Sequence, residues 1–504
     1  MKINWHRQHK ISSLIIMVFL ILFCISGVLL NHRGWISGLD VSRRLLPGYR
    51  YERWNGGLVR GSVALPDGRV ALYGNNGVFV ADSLRTSAQA DNLGFPSGAD
   101  RRNIRSMAVC LDGKILALST FGLYSKACGE AEWTRNSALE SDELFTDMVL
   151  RGDSLIVISR SDLYLALPPY NRFDRMRLKA NPELREGVAG SFRTVWLLHS
   201  GQLFGLPGIL LVDAVAIVLI VLCVTGIVVW ILPKSIKRRK KRGEKIKSLA
   251  SSLKSNLKIH RKVGVFTIPL TLIICFTGWC LRPPLLIPLA LTKMPVIPGS
   301  TLDSDNPWHD KLRMIRHDNL SGKWLLSTSE GFFSLDDFDA VPEKISKQPP
   351  VSVMGLNVWE RIGADKWLCG SFSGIYEWDP ATGESRDFLN GEAVKSGGSS
   401  PFGGVAVSGY SAGSGDSGVV FSYSDGAIVR DGETVPSVFE NNAGLEYLPM
   451  SLWNVALELH VGRLLFGSLP VPYVFLSGLL AVWCLFSGYK ATRRSKKCSD
   501  GKKR

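Results

Sequence analysis

Four of the eight histidines stand at matching positions of this 504-residue chain. His9 and His260 each precede a cysteine by 15 residues, whereas His199 and His460 each precede one by 24 residues. The rings therefore form two pairs, offset along the chain by 251 and 261 residues. Imidazole titrates near neutral pH and is the commonest metal ligand, so these pairs are the first candidates for chemistry.

Paired imidazoles suit two kinds of chemistry. They can relay a proton within a membrane, or they can ligate haem iron from its two axial sides. Zinc needs three or four protein ligands, and no carboxylate repeats beside these histidines. A third interpretation is that each histidine only anchors a helix end at a membrane interface. The spacing alone does not separate haem from a proton relay.

Four apolar stretches are placed to position these rings: residues 11–30, 209–232, 263–281 and 471–489. Each is close to the ~20 residues that cross a ~30 Å hydrocarbon layer. Only Asp213 is charged within them. The sequence therefore predicts four transmembrane helices, and each paired histidine precedes one of them.

Basic residues predict the orientation of these spans. Residues 1–10 carry three lysines and arginines, residues 234–262 carry 13 against one acid, and residues 490–504 carry eight against one acid. Positive segments stay in the cytoplasm. Both termini and the 234–262 loop are therefore expected on the cytoplasmic side of a bacterial inner membrane. His9 and His260 then lie at the inner face, and His199 and His460 at the outer face. We interpret this positive charge as a determinant of membrane orientation that also contacts anionic lipid headgroups. It does not predict a nucleic-acid partner.

The spans also repeat a short sequence. Residues 24–27, 223–226 and 275–278 read Cys-x-Ser/Thr-Gly, and the fourth span has Cys484 with Ser487-Gly488 one residue later. Small residues of this kind let helices approach closely. We interpret the chain as an internal 2+2 duplication, in which an approximate dyad brings each histidine pair together.

The two outer segments repeat a strand–turn–strand pattern rich in Val, Ile, Leu, Phe and Tyr. The six windows are 67–82, 112–127, 152–167, 322–337, 364–379 and 418–433. Their spacing within each half is typical of propeller blades. Two separate half-propellers would leave open sheet edges, so we predict one all-β, propeller-like extracytoplasmic domain of six or seven blades built from two insertions.

The predicted organisation follows from these elements. It comprises a cytoplasmic tail with the first span (1–32), the first half of the outer β domain (33–198), the second span (199–232), a basic cytoplasmic loop (233–259), the third span (260–285), the second half of the outer β domain (286–457), the fourth span (458–490) and a basic cytoplasmic tail (491–504).

The spans resemble the PepSY-associated transmembrane family. The resemblance rests on "HRQHKISSLIIMVFLILFCISGVLL" and on "LLHSGQLFGLPGILLVDAVAIVLIVLCVTGIVVWILP". Members of this family include inner-membrane reductases that release iron from ferric siderophores, with b-type haems held by helix histidines. The resemblance implies two haem b groups, one on His9 and His260 and one on His199 and His460. The outer segments show no PepSY module, and the propeller-like repeat stands in its place.

The leading hypothesis is a di-haem b-type electron-transfer protein that reduces a ferric chelate, such as siderophore iron, on the periplasmic side. Quinol or a separate reductase would donate electrons, and a periplasmic or outer-membrane uptake protein is a candidate partner. The alternative is a non-redox, membrane-anchored propeller that binds or senses a ligand.

Several other residues have expected roles. His32 is a candidate alternate ligand at the outer face or a residue of the electron path, and Asp213 is a candidate hydrogen-bond partner of a ligand or water there. We expect His309 and His317 to be surface residues of a blade. Cys110 and Cys128 are close enough in sequence for a disulfide, which spacing alone does not establish.

Overall fold

The structure is a computed structural model. It describes residues 3–46, 57–82, 87–184, 187–352, 354–395, 403–413, 418–423, 425–436, 445, 448–466 and 470–500, with the side chains of the last helix described from 471 to 493. Contacts divide the chain into two units, a helical one (1–35, 189–303 and 453–504) and one rich in strands (36–188 and 304–452).

Ten helices form within the described residues. They are α1 (Trp5–Asn31), α2 (Arg33–Ile36), α3 (Ser191–Ser200), α4 (Gly205–Lys241), α5 (Lys247–Phe266), α6 (Ile268–Cys280), α7 (Leu286–Ala290), α8 (Leu452–His460), α9 (Arg463–Phe466) and α10 (Pro470–Asp500). The side chain of Asn4 accepts a hydrogen bond from the backbone N–H of Arg7, which caps the start of α1.

Three helical segments are long and apolar enough to cross a membrane: Trp5–Asn31, Gln202–Lys241 and Val471–Arg493. A fourth candidate is the pair α5 and α6, which bends by 55° at its break. The predicted span 263–281 crosses this break. Pro269 stands in the first turn of α6, and because proline has no N–H to donate, a bend is expected there.

The helical unit packs around α1. This helix contacts α4 and α10, and α5 contacts α4. A small apolar core forms where Cys24 meets Val215 and Leu219. Large apolar side chains also face outward, such as Ile15 and Leu211. Exposed apolar faces on long helices are suited to lipid rather than to water.

The strands of the described residues are, in chain order, β1 (Asp40–Val41), β2 (Gly61–Ala64), β3 (Val70–Gly74), β4 (Gly77–Ala81), β5 (Ala88–Ala90), β6 (Ile104–Val109), β7 (Ile115–Ser119), β8 (Gly122–Lys126), β9 (Thr134–Arg135), β10 (Asp147–Arg151), β11 (Ser154–Ile158), β12 (Leu163–Ala166), β13 (Asp174–Met176), β14 (Val188–Gly190), β15 (Lys293–Pro295), β16 (Leu312–His317), β17 (Trp324–Thr328), β18 (Gly331–Leu335), β19 (Glu343–Lys344), β20 (Leu356–Arg361), β21 (Trp367–Ser371), β22 (Gly374–Trp378), β23 (Ser385–Asp387), β24 (Ala393–Val394), β25 (Val407–Ser411), β26 (Val419–Ser422), β27 (Ala427–Ile428), β28 (Thr434–Val435) and β29 (Met450–Ser451).

Most of these strands form six small sheets. Each contains consecutive antiparallel strands, in the groups β2–β5, β6–β9, β10–β13, β16–β19, β20–β24 and β25–β28. The six predicted strand–turn–strand windows coincide with the second and third strands of these sheets, so the predicted all-β character is confirmed. Gly77 and Gly331 begin third strands with φ of 103° and 106°, which glycine adopts without strain.

Neighbouring sheets pack through their first strands. β2 contacts β6, β6 contacts β10, β10 contacts β16, β16 contacts β20, β20 contacts β25, and β25 contacts β2. Asp147 is fully buried and ties β10 to β16, because its carboxylate accepts hydrogen bonds from the Ile315 N–H and the Arg316 guanidinium. Apolar side chains such as Ile156 and Phe333 fill the space between these two sheets.

Candidate functional site

The structure brings His199 and His460 together. Their ring centroids lie 6.2 Å apart and the ring planes meet at 63°. Each ring stands at the end of a short helix that precedes a span, α3 for His199 and α8 for His460. Gly201 and Gly205, with φ of 80° and 60°, separate α3 from α4. The sequence analysis missed the separate helix α3, although these two glycines mark its boundary with α4.

His9 and His260 form the second pair. Their ring centroids lie 6.1 Å apart and the planes meet at 58°. His9 belongs to the start of α1, whereas His260 belongs to α5, before the bend. The four histidines predicted from their spacing are therefore brought together in the two predicted pairs.

The Nδ1 atom of each ring forms a hydrogen bond with an oxygen atom of a candidate membrane-spanning helix. Three of the contacts are to hydroxyl oxygens: His460 to Ser26 at 2.9 Å, His199 to Thr277 at 3.0 Å and His260 to Thr225 at 2.9 Å. The fourth is from His9 to the carbonyl oxygen of Cys484, at 3.0 Å. Each partner lies on a helix other than the one that carries the histidine.

These contacts define the tautomer of the rings. The hydroxyls of Ser26, Thr225 and Thr277 donate their single proton to carbonyls of their own helices, over 2.6–2.9 Å. With the hydroxyl protons assigned in this way, each oxygen accepts a hydrogen bond from an Nδ1–H group. The carbonyl that meets His9 can only accept. We therefore assign the ring proton to Nδ1 in all four histidines, which leaves the Nε2 lone pairs available.

The glycine of each Ser/Thr-Gly repeat makes room for a ring. A Cβ added to Gly278 would lie 3.2 Å from His199 Cε1, and one added to Gly27 would lie 3.4 Å from His460 Cε1. At Gly488 the distance to His9 Cε1 would be 2.9 Å. The Ser/Thr-Gly repeats thus seat the histidines, a role that the sequence analysis missed because it assigned them only to helix packing.

Burial keeps the rings of His199 and His460 neutral. It lowers the pKa of His199 to about 4 and that of His460 to about 3. His199 lies on α3 and His460 on α8, and both helices are outside the candidate spans. At neutral pH each ring is therefore uncharged, which is the form that ligates a metal.

His32 is engaged in a different contact. Its Nε2 lies 2.7 Å from the carboxylate of Asp213, and its ring stacks on Trp35 with centroids 4.0 Å apart. Asn31 also donates to Asp213, at 3.2 Å. The two residues predicted to serve the outer face thus bind each other, and the Nε2 of His32 faces a carboxylate.

The remaining predicted residues lie in the strand-rich unit. His309 Nδ1 is 3.2 Å from the hydroxyl of Ser161, and His317 Nδ1 is 2.9 Å from the side-chain oxygen of Asn319. Cys110 is a buried free thiol 3.7 Å from the Tyr170 hydroxyl, and Cys128 is exposed and free. The structure contains no bond between these two cysteines.

The donor sets narrow what the site can bind. Among the described ranges, no group of three or more His, Cys, Asp or Glu residues is arranged to hold a metal ion. The four paired histidines form two separate pairs. Within the described part of the chain, the structure records no hydrogen bond to any of their four Nε2 atoms. The arrangement offers two separate pairs of neutral imidazole donors.

Apolar spans and buried imidazole pairs define an integral membrane protein. The chain belongs to the family of the PepSY-associated TM region, which it matches over residues 2–232 and again over residues 160–493. The family predicted from the sequence is thereby confirmed. No curated protein matches the chain.

Solved structures offer only distant similarity. The extracellular domain assigned to a one component system from B. thetaiotaomicron has a TM-score of 0.37 at 9% identity, covering 74% of this chain and 32% of that structure. The chain thus spans about a third of that structure. The N-terminal domain of Nup159 has a TM-score of 0.31 at 8% identity, covering 77% of this chain and 92% of that domain.

Proposed function

We propose that this chain is a di-haem b-type electron-transfer protein of the bacterial inner membrane that reduces a ferric chelate on the periplasmic side. His9 and His260 would hold one haem, and His199 and His460 the other. The observation that carries this proposal is that the four rings form two pairs, with every Nδ1 atom in contact with a hydrogen-bonding group of another helix.

The spacing of each pair fits a metal held between two imidazoles. A metal–imidazole bond is about 2.0–2.1 Å long, and each ring centroid lies about 1 Å beyond its nitrogen. The 6.1 and 6.2 Å centroid separations would leave room for a metal between the two rings of each pair. Ligating histidines usually donate their other N–H to a fixed acceptor, and all four rings do so.

Each bound haem would supply one-electron redox chemistry, with its potential tuned by the ligands and by burial. The protein's own part is to orient the rings. The hydroxyls of Ser26, Thr225 and Thr277 fix three imidazoles, and the Cys484 carbonyl fixes the fourth. A proton relay would need rings that exchange protons at both nitrogens, whereas here Nδ1 is committed to an acceptor.

The two pairs are separated along the helices. α1 carries His9 of one pair and, 17 residues later, Ser26, which holds His460 of the other pair. At 1.5 Å per residue this is about 26 Å, close to the thickness of the hydrocarbon layer. With the basic segments in the cytoplasm, His9 and His260 belong to the inner face and His199 and His460 to the outer face.

The substrate proposed is a ferric chelate such as siderophore iron. One electron converts Fe(III) to Fe(II), which hard oxygen ligands hold less tightly, so the metal is released. Quinol or a separate reductase would supply the electron, and an uptake protein of the periplasm or outer membrane would deliver the chelate.

We also propose that the six sheets close into one six-bladed propeller built from the two insertions. The support is the cyclic series of first-strand contacts from β2 through β25 and back to β2. Closure of this kind protects the sheet edges. An internal 2+2 duplication is supported by the three repeated sheets in each insertion and by the two equivalent histidine pairs.

A spectrum of membranes from an overexpressing strain tests the proposed function. We expect reduced-minus-oxidised bands of b-type haem at two equivalents per chain. His199→Ala and His460→Ala should each remove the same equivalent, and His9→Ala the other. His317→Ala is the matched control and should keep both. A colourless wild-type protein from haem-sufficient cells would favour the non-redox binding or sensor protein.

A further inference from the structure

The helix that carries His260 has two chemically different sides. α5 contacts α4 and α10. Leu249, Leu253, Leu257 and His260 are half-buried and recur every three or four residues, so they form the side that packs on these helices. The exposed side carries lysines instead. Because the 20 residues of α5 include no Asp or Glu, that exposed side is positive along its whole length.

The exposed side changes character next to His260. Between Lys247 and Lys258 the exposed residues are only lysine, serine and alanine. Beyond Lys258 they include the large apolar Ile259 and Phe266. A basic helix that lies on a membrane turns its apolar side to the lipid, whereas the apolar side of this segment packs on protein. The segment up to Lys258 is therefore suited to face water, and His260 lies at the boundary with lipid.

The lysines of this exposed side keep their charge for a partner outside the chain. Lys254 and Lys258 have no acid within ion-pair distance in the part of the chain that the structure describes. Glu244 precedes α5, and its carboxylate lies 3.4 Å from Arg239 and 3.9 Å from Arg242. The nearest acid in the sequence is thus engaged by the end of α4, which leaves α5 with uncompensated positive charge.

The exposed lysines are also close to the His9–His260 pair. Lys258 is two residues from His260 and Lys254 is six, which corresponds to about 3 Å and about 9 Å along the helix axis. A helix with its side chains is about 10–12 Å across. A protein bound to these lysines would therefore be separated from the ring pair by roughly the thickness of α5.

We propose that the exposed side of α5 around Lys254 and Lys258 docks a soluble protein with an acidic surface, which delivers single electrons to the His9–His260 pair. This rests on the proposed haem function and on the proposed orientation, which places α5 in the cytoplasm. It selects a separate reductase over quinol as the donor. One electron would leave the partner's reduced cofactor and reduce the iron at this pair, and no proton or bond would be exchanged.

A binding measurement tests the docking without any contribution from haem. The probe is an acidic flavodoxin, titrated against the full chain in nanodiscs of phosphatidylcholine. We expect saturable binding of one flavodoxin per chain, in haem-loaded and haem-free protein alike. The affinity should fall as salt is added, because exposed charges are screened.

Two double variants locate the surface. Lys254→Glu with Lys258→Glu should raise the Kd for flavodoxin at least about tenfold, because it opposes the acidic partner. Lys240→Glu with Lys241→Glu makes the same change of charge at the end of α4, 15 and 16 residues beyond Thr225, or about 22–24 Å along that helix from His260. This control should bind flavodoxin like the wild type. Each variant leaves residues 234–262 with 11 lysines and arginines against three acids, so the orientation should be retained.

Electron transfer is measured separately. In haem-loaded protein, Lys254→Glu with Lys258→Glu should slow reduction by reduced flavodoxin at least about tenfold. It should leave reduction by duroquinol, an uncharged donor, unchanged. The haem spectrum of the same preparation reports on the proposed function, so a failure of that proposal is distinguished from a failure of docking.

The docking proposal would be overturned if wild type and Lys254→Glu with Lys258→Glu bound flavodoxin equally. If wild type also retained more phosphatidylglycerol than this variant, the lysines would be assigned to lipid headgroups instead. A haem-loaded wild-type protein that duroquinol reduces and reduced flavodoxin does not would overturn the choice of donor. Both lysines are exposed, so their replacement should not disturb folding.

Discussion

The hydroxyl groups that hold the histidines are as important for the site as the rings themselves. The Nδ1–H of His199 donates to the Thr277 hydroxyl oxygen at 3.0 Å, while the Thr277 hydroxyl proton goes to a helix carbonyl. Without this acceptor the ring could rotate or adopt the other tautomer. In the proposed haem site the hydroxyl would therefore orient a ligand without touching the metal.

We predict that Thr277→Val weakens haem binding at the His199–His460 pair by about 10–100-fold, because valine keeps the shape and removes the acceptor. Haem per chain, measured during titration of the haem-free protein, checks this. Thr271→Val is the control, since Thr271 is buried and donates to its own helix at Thr267. Equal losses in both variants would contradict the assignment.

The glycines beside His9 and His260 lead to a graded prediction. A Cβ on Gly488 would lie 2.9 Å from His9 Cε1, which requires a displacement, whereas one on Gly226 would lie 3.6 Å from His260 Cε1, an ordinary contact. Gly488→Ala should therefore reduce haem occupancy at this pair, and Gly226→Ala should preserve it. The reduced spectra of the two purified variants provide the comparison; a reversed order would refute the seating role.

At the scale of elements, the six sheets depend on buried polar links between neighbours. We predict that Asp147→Asn destabilises the strand-rich unit by about 3 kcal/mol, because it leaves the Arg316 guanidinium buried beside an uncharged amide. The thermal midpoint should fall by roughly 5–10 °C.

Asp174→Asn serves as the control for this link. Its partner is Arg172, and both side chains are more than half exposed, so the ion pair should contribute little. Midpoints can be compared by circular dichroism in the strand region. An unchanged midpoint for Asp147→Asn would show that the link between β10 and β16 is not needed for stability.

Sequence patterns predicted some elements well and others poorly. The windows at 67–82 and 322–337 gave the strand pairs because alternating apolar residues and a glycine turn are local signals. The break before α6 was not predicted, although Pro269 marks it. The separate helices α3 and α8 were missed as well, because their apolar residues run into the spans.

The histidine pairs were predictable because the chain repeats them, and repetition is visible in the letters alone. Their acceptors were not. The contact between His9 and Cys484 joins residues 475 positions apart, and the hydrogen-bond direction depends on where each helix face points. Three-dimensional packing, rather than local spacing, sets that direction.

At the scale of the whole molecule, the proposed topology can be tested with Cys128, which is exposed in the strand-rich unit. We predict that a membrane-impermeant maleimide labels Cys128 in intact spheroplasts, because the proposed topology places this unit outside the cytoplasm. Ser252→Cys, on α5 within the basic segment 233–259, should be labelled only after the membrane is permeabilised.

Cys128→Ser controls for other thiols and should abolish the outer label. Labelling of the position 252 cysteine in intact spheroplasts, with Cys128 protected, would reverse the orientation derived from the basic segments.

The crosswise hydrogen bonds have a consequence for biosynthesis. The ribosome delivers α1 long before α10, yet the contact of His9 on α1 is with the Cys484 carbonyl on α10. His460, which contacts Ser26 of α1, also emerges long after its partner. Neither histidine pair can therefore be completed until α10 and α8 have been synthesised, and the proposed cofactors could be bound only after that point.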